Sequence, residues 1–210
     1  MSEAAEAAAR TLLSEGCFPA DPFRALQRMP GLLFFTEEEM TAISPDCRLS
    51  THEDARAFRC LEESGREKVL VCWREGVGES RLRFSFAHEL GHLVLGHQSA
   101  FLHNIIEWET EKERRVRERQ EEKEANAFAA AYLIPLSLLG LVVVKGGGEP
   151  EIVSAVFGVS KTAADLALRR KPDTIGLDLS QRVLDAFGQD TLRRLDRAFE
   201  AWDQMGGRRK

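Results

Sequence analysis

The chain reads as an α+β protein: a small β-sheet packed on a two-helix core, with additional helices towards the C-terminus. Three observations predict this. Short β-prone runs punctuate the first third, two helical segments rich in ionisable residues occupy the middle, and amphipathic helical patterns fill the last third. A length of 210 residues suits one domain with a helical appendage. The Gly146-Gly147-Gly148-Glu149-Pro150 break divides an expected core, residues 1–145, from an expected helical part, residues 146–210.

Taken in order, residues 2–15 are rich in Ala, Glu and Leu and predict a helix that Pro19 ends. Asp21-Pro22 opens a short second helix with Phe23, Leu26 and Met29 at helical spacing. Leu32–Phe35 is an apolar run that predicts a strand, and Glu37–Ile43 reads as a helix or loop. Ser44–Ser64 carries a weak signal, with Ala57–Leu61 as a candidate strand. Lys68–Arg74, holding Val69, Leu70, Val71, Cys72 and Trp73, is the clearest strand. From Arg81 to Phe86 apolar and polar residues alternate. This predicts a short strand or extended entry, with Ser85 as the N-cap of the helix that follows.

That helix carries the chemistry. In Phe84–His97, F-S-F-A-H-E-L-G-H-L-V-L-G-H, His88 and His92 lie four residues apart. On a helix this puts both imidazoles on one face, where two ring nitrogens can share one zinc ion. Glu89, beside the first histidine, is placed to polarise a water and act as general base. Leu90, Leu93, Val94 and Leu95 predict burial, Gly91 leaves room for another backbone, and Gly96 is a natural stop. His97 follows five residues after His92, one short of a three-histidine metal pattern, and is expected to serve the helix end.

A peptidase-type zinc site needs a third ligand and an open position. The stretch 122–135, E-K-E-A-N-A-F-A-A-A-Y-L-I-P, offers one. Glu122, Asn126 and Ala129 share a helix face, and the alanines allow close approach. Glu122 is favoured, with Glu121 and Glu124 as rivals, and Asn126 is placed to hydrogen-bond a ligand histidine from behind. His103 and Tyr132 are candidates for stabilising the oxyanion of a transition state. The preceding run, residues 111–124, mixes charges at i,i+4 spacing and predicts a solvated helix.

H-E-L-G-H followed by E-x-x-A-N-x-F-A-x-x-x-L-x-x-P, over roughly residues 82–135, resembles the ImmA/IrrE family of metallopeptidases. The resemblance implies a thermolysin-like zinc core, with His88, His92 and Glu122 as ligands and Glu89 as general base. It also implies a protein substrate, a helix-turn-helix transcriptional repressor. The long mixed-charge run before Glu122 and the first 20 residues depart from that pattern.

After Pro135 come an apolar segment to Val144 and a helix from Pro150 to Phe157. A turn capped by Ser160 and a helix from Lys161 to Lys171 complete a pattern like a helix-turn-helix. The terminal Arg169, Arg170 and Lys171 suit a helix C-terminus, so direct DNA contact is not expected. The net charge of −5 argues the same way. Leu179–Phe187 and Thr191–Met205 predict amphipathic helices parted by Gly188. There is no run long enough to span a bilayer and no secretory signal at the N-terminus. The four spaced cysteines suggest reduced thiols, so a cytoplasmic protein is expected. The competing reading is a non-catalytic regulatory protein that keeps the zinc fold and binds a repressor or DNA through its C-terminal helices.

Overall fold

A computed structural model describes residues 3–14, 18–61, 65–98, 109–170 and 179–204. In chain order the elements are α1 (Glu3–Ser14), α2 (Pro22–Gln27), β1 (Leu32–Thr36), α3 (Glu37–Ile43), β2 (Ala55–Leu61), β3 (Glu67–Trp73), α4 (Glu79–Leu95), α5 (Glu111–Leu133), α6 (Leu136–Gly146), α7 (Pro150–Phe157), α8 (Lys161–Arg169) and α9 (Leu179–Gln204). The protein is α+β, mostly helical, with one small mixed sheet. By packing it forms two compact units. One holds Met1–Ala8 and Pro22–Ala129, the other Ala9–Asp21 and Ala130–Lys210. The division therefore falls within α1 and within α5.

In the first unit the strand order is β1-β3-β2. β3 is central, parallel to β1 (Phe34 opposite Val71) and antiparallel to β2 (Ala57 opposite Val71). A central strand is flanked on both edges, which explains why its run of β-prone residues is the clearest in the sequence. Each sheet face has its own cover. Met40 of α3 packs with Cys47, Leu49, Phe58 and Cys72. On the other side Phe34 meets Phe86 of α4 and Phe23 of α2, with ring centroids 6.2 and 4.7 Å away. Thr36 and Glu39 form a capping box that starts α3 immediately after β1. Cys47 and Cys72 are buried, unbridged fillers of the core, and burial pushes the Cys72 thiol up to about 11.

The expected strand at Arg81–Phe86 is instead the first part of α4, which starts after Gly78. Ser85 is therefore not an N-cap; its hydroxyl donates to the Arg81 carbonyl one turn back. Tertiary burial decides the matter. Phe86 and Leu90 are buried one turn apart whereas Phe84 is 36% exposed, a spacing of 3.6 rather than 2. Gly96 ends α4 in the left-handed region (φ 69°), as the sequence predicts.

The second unit is helical. Gly146, at the end of α6, sits where an added Cβ would fall 2.3 Å from Ile152 Cδ1 and 2.6 Å from Phe199 Cε1, so α6, α7 and α9 converge on it. Ser160 caps α8 by accepting from the Ala163 N–H. Gly188 breaks α9 with a non-helical backbone (φ 76°), and Val183, Leu195 and Phe199 are buried on the two halves of this amphipathic helix. Among the described residues no single helix is long and apolar enough to cross a membrane.

Candidate metal centre

The site is built where α4 crosses α5 in the first unit. Gly91 makes the crossing tight. A Cβ there would lie 3.2 Å from the Ala125 Cα and 3.0 Å from Phe128 Cδ1. Small residues on both helices thus bring the backbones within reach of one another's short polar side chains. α4 is fixed to the sheet at both ends. Arg81 pairs with the buried Asp54 just before β2, and the Arg59 guanidinium of β2 donates to the Leu93 carbonyl.

Three donors converge across this crossing. His88 Nε2 and His92 Nε2 lie 3.0 Å apart. Glu122 places Oε2 3.3 Å from His88 Nε2 and Oε1 3.3 Å from His92 Nε2. Bond lengths of about 2.0–2.2 Å put the donors of a tetrahedral ion about 3.3–3.6 Å apart; the edge between the two imidazoles is slightly short of that, and each imidazole meets a different Glu122 oxygen at 3.3 Å. His88, His92 and Glu122 can hold one metal ion. The Glu122 carboxylate is held well below its ordinary range by hydrogen bonds from His88 and His92, against the opposing effect of burial. Burial alone would lower His88, but Glu122, Glu89 and Asn126 together raise it.

Glu89 is buried, and its Oε2 accepts the Ala57 N–H of β2 at 2.6 Å. Burial pushes its carboxyl above the usual range, offset in part by His88, His92 and the Ala57 N–H. Asn126 Oδ1 stands 3.2 Å from His88 Nδ1, the partner position expected for it. A cleft of about 570 Å³ opens here, with His52, Asp54, Arg56, Arg81 and Phe84 on its walls beside the histidines and the two glutamates. His52, Asp54 and Arg56 come from the stretch whose sequence signal is weakest.

The rivals for the third ligand are occupied elsewhere. Glu121 accepts the Gln98 N–H at 2.9 Å and pairs with Arg117, which also holds Glu109. Glu124 faces His97, its Oε2 3.2 Å from Nε2. His97 does not merely close the helix. It is buried, with Nδ1 3.0 Å from His92 Nδ1, on the side of that ring away from Glu122. Burial and the neighbouring His92 hold its imidazole below the usual value. Spacing alone excluded His97 as a ligand but could not show it behind one.

Tyr132 lies buried in the second unit, where its hydroxyl donates to the Asp21 carbonyl at 3.5 Å; His103 falls outside the described residues. The mixed-charge run is helical, as expected, but not wholly solvated, since Arg117 and Glu121 are largely covered. In α8, Lys161 meets Glu151 and Arg169 meets Asp165, so these cations of the helix-turn-helix-like pair are balanced locally.

A family model for M78 peptidases, described as an IrrE N-terminal-like domain, matches residues 47–169. The chain belongs to the M78 peptidase family. For this M78 peptidase the match begins just before β2, takes in α4 and α5 with every donor above, and runs through α8. The helix-turn-helix-like pair is therefore part of the family domain rather than an added module. No curated protein matches the chain.

Proposed function

We propose that this M78 peptidase is a zinc-dependent endopeptidase of the cytoplasm that cuts a helix-turn-helix transcriptional repressor as a regulatory step. The observation that carries the reading is the convergence of His88, His92 and Glu122 within 3.0–3.3 Å, with the buried Glu89 carboxylate beside them. Two imidazoles and one carboxylate, with room left in the cleft, are the donor set of a catalytic rather than a structural zinc. When bound, zinc supplies Lewis acidity towards water and the scissile carbonyl.

The chain's own residues do the rest. Glu89 Oε2 is held by the Ala57 N–H, which points the carboxylate and leaves Oε1 to take a proton from the attacking water. A carboxyl raised by burial is a better base than an exposed one, and it can return that proton to the leaving amine. β2 is an edge strand on the cleft, and an extended substrate can add to such an edge by main-chain pairing. The repressor as substrate rests on the family resemblance.

The test combines metal analysis with cleavage. Purified protein should carry near-stoichiometric zinc, and Glu122→Ala should lower zinc affinity by more than the ~100-fold typical of losing an outer partner. Glu89→Gln should keep zinc and lower kcat on peptides or purified repressors by about 10²–10⁴. Zinc-loaded protein that cleaves nothing, and is indistinguishable from Glu89→Gln, would favour the non-catalytic binding role.

A further inference from the structure

The two ligand histidines are supported differently, and the support of His92 is a chain of three groups. His92 Nδ1 is 3.0 Å from His97 Nδ1, and His97 Nε2 is 3.2 Å from Glu124 Oε2. Glu124 is itself held by Gln120, whose amide donates to Oε1 at 2.7 Å. His92 and His97 are each 5% exposed, so water cannot easily replace either partner. Glu121, one residue from Gln120, accepts the Gln98 N–H and fixes the backbone next to His97.

Proton placement along this chain has one consistent solution. If His92 offers the lone pair of Nε2 to the metal, its proton is on Nδ1. That N–H needs an acceptor, so His97 Nδ1 must carry a lone pair and its proton must be on Nε2. The Nε2–H then donates to the Glu124 carboxylate, an acceptor-only group. Every group is satisfied, and with the Nε2 lone pair of His92 given to the metal the other neutral tautomer of His97 would set two N–H groups face to face at 3.0 Å and a lone pair against the Glu124 carboxylate at 3.2 Å.

We propose that His97 and Glu124 are positioning residues that fix the tautomer of His92 and so set the metal affinity of the site. This rests on the zinc reading above. Glu124 dictates the proton on His97, His97 dictates the proton on His92, and the lone pair of His92 Nε2 is thereby aimed at the metal. The role differs from packing in a way that mutants can separate. Phenylalanine at position 97 keeps the ring but has no acceptor. Asparagine is smaller, yet its Oδ1 occupies the place of Nδ1 and can accept from His92.

The experiment measures zinc affinity of the full chain by chelator competition in His97→Phe, His97→Asn, Glu124→Met and Glu124→Gln. His97→Phe should weaken zinc by about 10–100-fold, the range for loss of a partner behind a ligand histidine. His97→Asn should recover part of that loss, and Glu124→Gln, which retains an acceptor, should bind better than Glu124→Met. Glu124 is on the helix surface with a side chain 29% exposed, so its variants leave the core intact. Nitrogen-15 NMR of histidine-labelled, zinc-loaded protein should show His97 protonated on Nε2. Equal affinities across the series, phenylalanine outperforming asparagine at 97, or a His97 protonated on Nδ1 would each overturn the relay while leaving zinc binding standing. Absence of zinc from the parent protein itself would instead overturn the metal reading, and the relay with it.

Discussion

As proposed ligands of one metal ion His88 and His92 share a helix face, yet they are held in different ways. His88 has one partner behind it, the amide oxygen of Asn126, and its side chain is 15% exposed. The His92 side chain is 6% exposed and backed by an imidazole and then a carboxylate. The more exposed ligand is steadied by a single neutral group from α5; the more deeply buried one by a group from its own helix end, itself anchored to α5. The difference teaches that burial raises the need for a complete hydrogen-bond chain. A partly exposed N–H can fall back on water, whereas a buried one left unpaired bears the full desolvation cost.

The largest effect that bears on this comparison should come from Gly91, which serves both histidines at once. Gly91→Val forces a side chain against the Ala125 backbone and Phe128, so α4 and α5 must separate. Destabilisation of about 1–3 kcal/mol by urea unfolding is expected, with zinc affinity reduced because Glu122 moves away from both rings. A parent-like unfolding midpoint would mean that the crossing yields without cost.

A smaller effect sharpens the comparison. Asn126→Ala removes the support of His88 alone and should weaken zinc by about 10-fold, the lower end of the range for such partners. It should therefore cost less than His97→Phe. The reverse order would show that the burial of His92 does not make its support the more demanding one.

The smallest effect serves as a control remote from both histidines. Hydrogen bonds from Arg74 hold the Glu37 carboxyl below its ordinary range. A depressed carboxyl contributes stability above its unfolded pKa, and that contribution is lost as pH falls through the lower folded value. Glu37→Gln should flatten the acid limb of a thermal-stability profile slightly and leave zinc affinity at neutral pH unchanged. A change in zinc affinity would show that the comparison is reporting global stability instead of local support.

Much of the candidate metal centre was legible because its signals are local. The four-residue spacing of His88 and His92, the missing side chain of Gly91 and the stop at Gly96 all act within a few turns of one helix. Glu122 emerged because it shares a face with Asn126 and Ala129. What was not legible depends on partners distant in sequence. The alternation of Leu82, Phe84 and Phe86 looked like a strand until Phe86 found Phe23 and Phe34. His97 looked like a residue serving the helix end because nothing local predicts that Glu124, 27 residues on, would face it. The cleft wall at His52 and Asp54 lies in a turn-rich stretch without periodicity, which is given its place by the pairing of Asp54 with Arg81 and by Arg74, whose N–H donates to the Asp54 carbonyl and whose guanidinium donates to the Ser50 carbonyl.

The charged first part of α5 contains two populations of ion pairs that ionic strength will treat differently. Glu111 with Arg114 and Arg115 stands in solvent, with side chains 41–66% exposed. Its attraction fades as mobile ions gather within a Debye length of about 8 Å or less. Arg117 with Glu109 and Glu121 is only 10–19% exposed, and counterions approach it poorly. Concentrated salt should therefore loosen the outer face of this helix and spare the inner one. The turn that carries His97 is tied to the inner face, so the support behind His92 should withstand salt although the composition of the helix suggests the opposite.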